Sequence, residues 1–296
     1  MMNWNELLAF IQVADRKSFS RAAEALYLTQ PAVSKRIASL EQDLGIRLFD
    51  RVGRSVFMTE AGSILYPRAL TMLQVQADTT KLLENLHTRI DGSLRMATSH
   101  HIGLHRLAPV LKDFSRKFPQ VQMDIRFVDS EVAQSMVLEG SSELAVVTFD
   151  PQTDNLLEYH TIWNDELSFV CAPELSISRD QSNSLQSLIS VPCILPGPNT
   201  FTGQIVTRLF EKAGLVVQPR MRTNYLETIA MLVSIGQGWS VLPTSMLNQL
   251  VRKFEVHCAP LSRTLGGITH PERTLSNAGS AFMDILKQHA DNSSKV

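Results

Sequence analysis

The segment from Ser20 to Arg51, SRAAEALYLTQPAVSKRIASLEQDLGIRLFDR, constrains the fold more than any other part of the chain. Ala22, Ala23 and Leu26 form the small inner face of a short helix that Ser18 or Ser20 can cap, and a tight turn follows. Thr29 stands where the next cap is wanted, and Pro31 falls in a first helical turn, where its missing N–H costs little. The helix so started buries Val33, Ile37, Leu40 and Leu44, and Gly45 closes it as a left-handed cap. Upstream, Leu7, Leu8, Phe10, Ile11 and Ala14 recur at helical spacing and give a first helix its apolar face. Three small helices followed by a basic segment and a short hairpin, Ser55 to Met58, make a winged helix-turn-helix pattern. Double-stranded DNA is the partner that pattern implies.

The exposed face of the third helix carries Gln30, Ser34, Lys35 and Ser39. A glutamine can read adenine bidentately, a lysine can reach a guanine edge or a phosphate, and a serine can donate or accept at either. Free N–H groups at the start of that helix also favour a phosphate. Arg47, Arg51 and Arg54 lead into the wing, which reaches phosphates or the adjacent minor groove. The whole chain of 296 residues has a net charge of −1, and residues 1–58 hold eight basic against six acidic side chains. Any charge that serves DNA is therefore local.

A hydrophobic content of 44% with 19% charged residues is that of a soluble globular protein of one or two units. The start, MMNWNELLAFIQVAD, lacks the basic flank and cleavage site of a signal peptide. No run approaches the roughly 18 apolar residues of a membrane span, so a cytoplasmic protein with no membrane partner is expected. Cys171, Cys193 and Cys258 show no CxxC or Cys/His ligand spacing and read as reduced, buried thiols. No metal-ligand set, cofactor motif or oriented nucleophile and base stands out, which argues against an enzyme. Gly236-Gln237-Gly238 follows a helix rather than a strand and reads as a turn, not a nucleotide loop.

Thr59-Glu60-Ala61-Gly62 restarts helix, with Thr59 as its cap. Leu65, Ala69, Met72, Gln76, Thr79, Leu83, Leu86 and Ile90 then recur at alternating steps of four and three, with Pro67 early enough to be tolerated. Such a stripe packs either on its own domain or on a second copy of the chain. The second arrangement sets two reading helices on one pseudo-palindromic site. Asp91-Gly92-Ser93 breaks the helix, giving a division into residues 1–58, 59–92 and 93–296.

Taken in order, LxxFxxVADRKSFSRAAEALYLTQPAVSKRI, LEQDLGIRLFDR, TEAG, a long helix and GSLRMA resemble a LysR-type transcriptional regulator over nearly the whole length. The resemblance implies an α/β chain overall: an all-α winged helix-turn-helix, a long linker helix, and a two-lobed α/β half like a periplasmic solute-binding protein. It implies a homodimer or homotetramer, a small-molecule effector between the lobes, and room for RNA polymerase as a further partner. It also implies that Gln30, Pro31, Ser34 and Lys35 lie at the major groove, with Arg51, Arg54 and Thr59 near backbone or wing contacts. The basic position after Ser34 is Lys rather than Arg, so a bidentate arginine contact to guanine does not carry over. Peroxide sensors of this family use two nearby cysteines in the second lobe, whereas here Cys193 stands near that region with Cys171 and Cys258 distant in sequence.

In the C-terminal half, strands are expected at Leu94–Ala97, Val121–Val128 and Leu144–Phe149, alternating with helices, which argues for a mostly parallel, doubly wound sheet. A second set runs from Leu167 to Leu242. The first lobe spans about 93–163 and 267–296 and the second about 164–266, so two crossings make a hinge. In such sheets ligands bind beyond the carboxyl ends of strands, beside helix N-termini. The candidates are Ser99, His100 and His101 after the first strand, Asp129 after the second, and Thr148 after the third. In the second lobe they are Asn199, Thr200, Phe201 and Asn224, with Asn199 and Thr200 foremost. Hydroxyls, amides and imidazoles at helix starts suit a small anion. The competing reading is a two-lobed solute-binding or enzymatic α/β protein with an incidental helical N-terminus.

Overall fold

A computed structural model of the chain describes residues 3–52, 55–86, 89–150, 156–175 and 184–291. Contacts divide it into two units, residues 1–86 and 87–296.

In the first unit, helix α1 (Trp4–Arg16) opens on a capping box: Asn5 N–H donates to the Asn3 side chain, and Asn3 N–H donates to Glu6. Helix α2 (Phe19–Ala25) is capped by Ser18, whose Oγ accepts from Arg21 N. Helix α3 (Gln30–Leu44) starts at Thr29, whose side chain makes no cap bond, and ends at Gly45 with φ 68°. Val33, Ile37 and Leu40 of α3 close on Phe10, Val13 and Ala22 in one core. The wing is a four-residue pair, β1 (Phe49–Val52) against β2 (Ser55–Met58), so it begins earlier than the hairpin read from sequence. The Glu41 carboxylate accepts from Leu48 N at 2.7 Å and Phe49 N at 3.2 Å, which ties the start of the wing to α3.

Helix α4 (Glu60–Glu84) corrects two expectations. It stops at Glu84 with Asn85 as its cap, so Leu86 and Ile90 lie beyond it; asparagine is a poor helix former. The apolar stripe also divides. Leu65 and Ala69 pack on the unit's own core together with Leu73, whereas Met72 and Leu83 of the same stripe stay exposed. Ile64, Val75 and Leu82, outside the expected stripe and at steps of 11 and 7, are exposed along another face.

In the second unit, strands β3 (Gly92–Thr98), β4 (Val121–Phe127) and β5 (Leu144–Phe149) are parallel in the order β4-β3-β5. Helices α5 (His100–His105), α6 (Leu107–Lys117) and α7 (Ser130–Glu139) connect them. The sheet is mixed rather than mostly parallel. The two long strands β6 (Glu158–Cys171) and β11 (Leu261–Thr269) pair antiparallel with each other, and β11 also lies antiparallel to β5. Each enters from the other lobe, so neither needs the right-handed crossover that makes neighbours parallel. Their ladder shifts register at Leu265/Gly266, and both strands serve both lobes.

The second lobe adds α8 (Leu185–Leu188), β7 (Ile194–Leu195), α9 (Phe201–Lys212), β8 (Met221–Arg222), α10 (Leu226–Ser234), β9 (Ser240–Pro243) and β10 (Arg252–Lys253). β9 and β10 flank the far end of β6. Trp239 centres this lobe, fully buried, stacked on Phe210, with its indole N–H donating to Leu188 O and Val191 O. Helix α11 (Asn277–Gln288) returns to the first lobe and packs against Phe114 through Phe282.

Candidate functional site

At the start of α3, Gln30, Pro31 and Lys35 are exposed and Ser34 is half-buried. Gln30 Nε2 donates to Ser34 Oγ at 2.9 Å, so the two polar groups expected at base edges are held together one turn apart. Thr59 is placed differently from a free wing contact. Its hydroxyl donates to Arg47 O at 2.8 Å and accepts from Gly62 N at 3.1 Å, so it caps α4. Arg51 lies on β1, and Arg54 lies outside the described residues.

In the second unit, the carboxyl ends of β3, β4 and β5 face a cleft together with the starts of α9 and α10. Eight of the sequence candidates line it: Ser99, His100, His101, Asp129, Thr148, Thr200, Phe201 and Asn224. Asn199 does not; it is exposed in the turn before α9. The Thr200 hydroxyl caps α9, accepting from Gly203 N and donating to Gly197 O. A Cβ on Gly203 would stand 2.0 Å from Gly197 O, so only glycine lets this loop close onto the helix.

The cleft leaves about 50 Å³ of free space, room for a few waters, because three contacts draw its walls together. The Glu131 carboxylate, in the first turn of α7, accepts from Phe201 N at 2.7 Å. The amide of Asn224 donates to Asp129 Oδ2 at 2.6 Å while accepting from Gly197 N. Glu227 Oε1, in the first turn of α10, stands 3.2 Å from both His101 Nδ1 and His105 Nε2. His100 packs between Phe127, tilted to it, and Tyr225, edge-on to it. Below lies a buried ion network: Arg263 on β11 bonds Asp165 on β6 at 2.8 Å and Thr202 at 3.1 Å, and Arg106 bonds the other Asp165 oxygen at 3.1 Å.

Burial is the main cause that raises the Glu131 carboxyl above its usual range, partly offset by the Phe201 N–H. The bond with His101 pulls the Glu227 carboxyl down to about 2, whereas burial lowers His101.

Two family descriptions match the sequence: the bacterial regulatory helix-turn-helix protein, lysR family, over residues 4–63, and the LysR substrate binding domain over residues 87–291. The chain belongs to the LysR family. An uncharacterized HTH-type regulator from the ibpB-leuC intergenic region of Azotobacter vinelandii is 60% identical over 108 residues, 36% of this chain and 75% of that protein. A probable RuBisCO transcriptional regulator of Cyanidioschyzon merolae is 27% identical over 288 residues, 94% of this chain and 95% of its own. Among solved structures, full-length CbnR complexed with its target DNA matches with a TM-score of 0.64 at 20% identity, covering 98% of this chain and 100% of that one. A full-length OxyR variant from Pseudomonas aeruginosa matches with a TM-score of 0.69 at 18% identity and the same coverage. These neighbours share the fold.

This LysR-type regulator thus pairs a DNA-binding helix-turn-helix with an effector-binding α/β domain, and it is a transcriptional regulator rather than an enzyme. No helix among the described residues is long and apolar enough to cross a membrane. Two of its thiols are poorly placed for oxidation. Cys171 and Cys193 are buried in the core of the second lobe, and burial pushes the Cys193 thiol up to about 11. Sequence reading missed Glu131, Glu227, Asp165 and Arg263. Glu131 and Glu227 follow strand-end turns by two or three residues and carried a weak signal. The two buried ions on the long strands carried none.

Proposed function

We propose that this regulator reads a pseudo-palindromic operator as a dimer and answers a small anion held between its lobes. Gln30, Pro31, Ser34 and Lys35 enter the major groove, with Arg51 and Arg54 at phosphates beside it, and Thr59 shapes the wing through its cap. The exposed pairing of Gln30 with Ser34 at the start of α3 supports the base-reading role. In a mobility-shift assay on its own upstream intergenic DNA, Gln30→Ala and Lys35→Ala each weaken specific binding by about 5- to 150-fold, from roughly 1–3 kcal/mol per base contact. Wild-type-like affinity in the double variant would remove these residues from the interface.

The observation that carries the anion reading is the seat of Glu131. A carboxylate already occupies Phe201 N–H at the start of α9, where a helix favours negative charge. An effector anion takes that seat by displacing Glu131, and the lobes then adjust, because the closed cleft leaves too little room for both. Glu131→Ala empties the seat. Titrated with sulfate and with succinate, the full-length variant binds its preferred anion at least ~10-fold more tightly than wild type, as expected for a charged hydrogen bond of about 1.5–3 kcal/mol no longer contested. Unchanged or weaker binding would sink the anion reading.

A further inference from the structure

We propose that His101, His105 and Glu227 form a binding site for a zinc-type divalent transition-metal ion that ties one lobe to the other. His101 and His105 are four residues apart on α5, which stacks their rings on one face with centroids 4.6 Å apart. Glu227 comes from α10, in the opposite lobe. Both His101 Nδ1 and His105 Nε2 stand 3.2 Å from Glu227 Oε1, and the three ligand atoms lie within 4.8 Å of one another. Tetrahedral zinc, with bonds of about 2.0–2.2 Å to nitrogen and oxygen, places its donors about 3.3 Å apart. Two edges of the triangle already have that length. The third would shorten by a turn of the His105 ring, whose side chain is 42% exposed.

His101 is 4% exposed, and its Nε2 has no partner among the described residues, so Nδ1 is the ring nitrogen that faces a ligand. An ion bound there takes the Nδ1 lone pair and leaves the ring proton on Nε2. Two imidazoles and one carboxylate select zinc, cobalt, nickel or iron(II) over magnesium and calcium, which prefer all-oxygen sets. Three protein ligands leave a fourth position open.

The site lines the same cleft as the anion seat but uses none of the N–H groups at the start of α9. An ion there binds the arrangement in which both lobes supply ligands, so it stabilises that arrangement by linkage. The experiment is a Co(II) titration of tag-free, full-length protein followed by its d–d absorption, with Zn(II) equilibrium dialysis for stoichiometry. One ion binds per chain, and His105→Ala and Glu227→Gln each weaken it at least ~10-fold. Cys258→Ala leaves the affinity unchanged. Because His105 is partly exposed and glutamine keeps the shape of Glu227, both variants fold. No bound ion, or an affinity indifferent to His105→Ala, overturns the site.

Discussion

Asp165→Ala lowers the stability of the 87–296 unit by about 3–5 kcal/mol, the cost of leaving a buried charge without its partner. Arg263 is 6% exposed and Asp165 2%, so water cannot replace the lost carboxylate. Two guanidinium groups, Arg263 and Arg106, would then face each other across the gap. In thermal unfolding the loss reads as a fall of about 6–20 °C for a unit of this size. Replacing Asp165 and Arg263 together, by Leu and Met, recovers most of the loss, because a well-packed apolar pair is close to neutral against a buried ion pair. A fall of less than about 1 kcal/mol for Asp165→Ala would show that the network is not dry. The consequence reaches the cleft, because Arg263 also holds Thr202 in the first turn of α9.

If the proposed dimer pairs through the open face of α4, charge placed there separates the two copies without unfolding them. Val75 and Leu82 are 59% and 53% exposed, so Val75→Arg with Leu82→Arg stays within roughly 0.5 kcal/mol per site of wild-type stability in the single chain. In a dimer the same positions would meet a second copy, and two buried arginines would drive the helices apart. Sedimentation of the double variant then reports a monomer. Operator affinity falls by about 10²–10⁴, since one reading helix no longer raises the effective concentration of the other. A dimer that survives the double substitution would place the subunit interface elsewhere.

The face of α4 also shows how far the sequence could be read. Its heptad-like steps indicated an apolar helix; Leu65 and Ala69 serve the unit's own core, while Met72 and Leu83 of the same steps stay exposed, as do Ile64, Val75 and Leu82 on another face. Periodicity reports that a face is apolar; it does not report what covers it. The cleft shows a similar division. Strand ends and helix starts are local features, so Ser99, His101, Asp129, Thr148, Thr200 and Asn224 could be marked from spacing alone. Asn199 shared their chemistry and sequence position yet points to solvent in a turn. The pair of imidazoles at positions 101 and 105 has ligand spacing in the sequence, but its carboxylate lies 126 residues from His101.

By itself the sequence determined the elements and their order: the three helices and caps of the reading head, the restart at Thr59, and the alternation of strands and helices that makes a two-lobed half. Those depend on hydrogen bonds and side-chain spacing within a few residues, which any stretch of chain carries with it. Tertiary structure alone decided the antiparallel pairing of β6 with β11, the burial of Arg263 against Asp165, and the seating of Glu131 on Phe201 N–H. Each joins residues that only packing brings together, and each depends on water being excluded there, which local spacing does not encode.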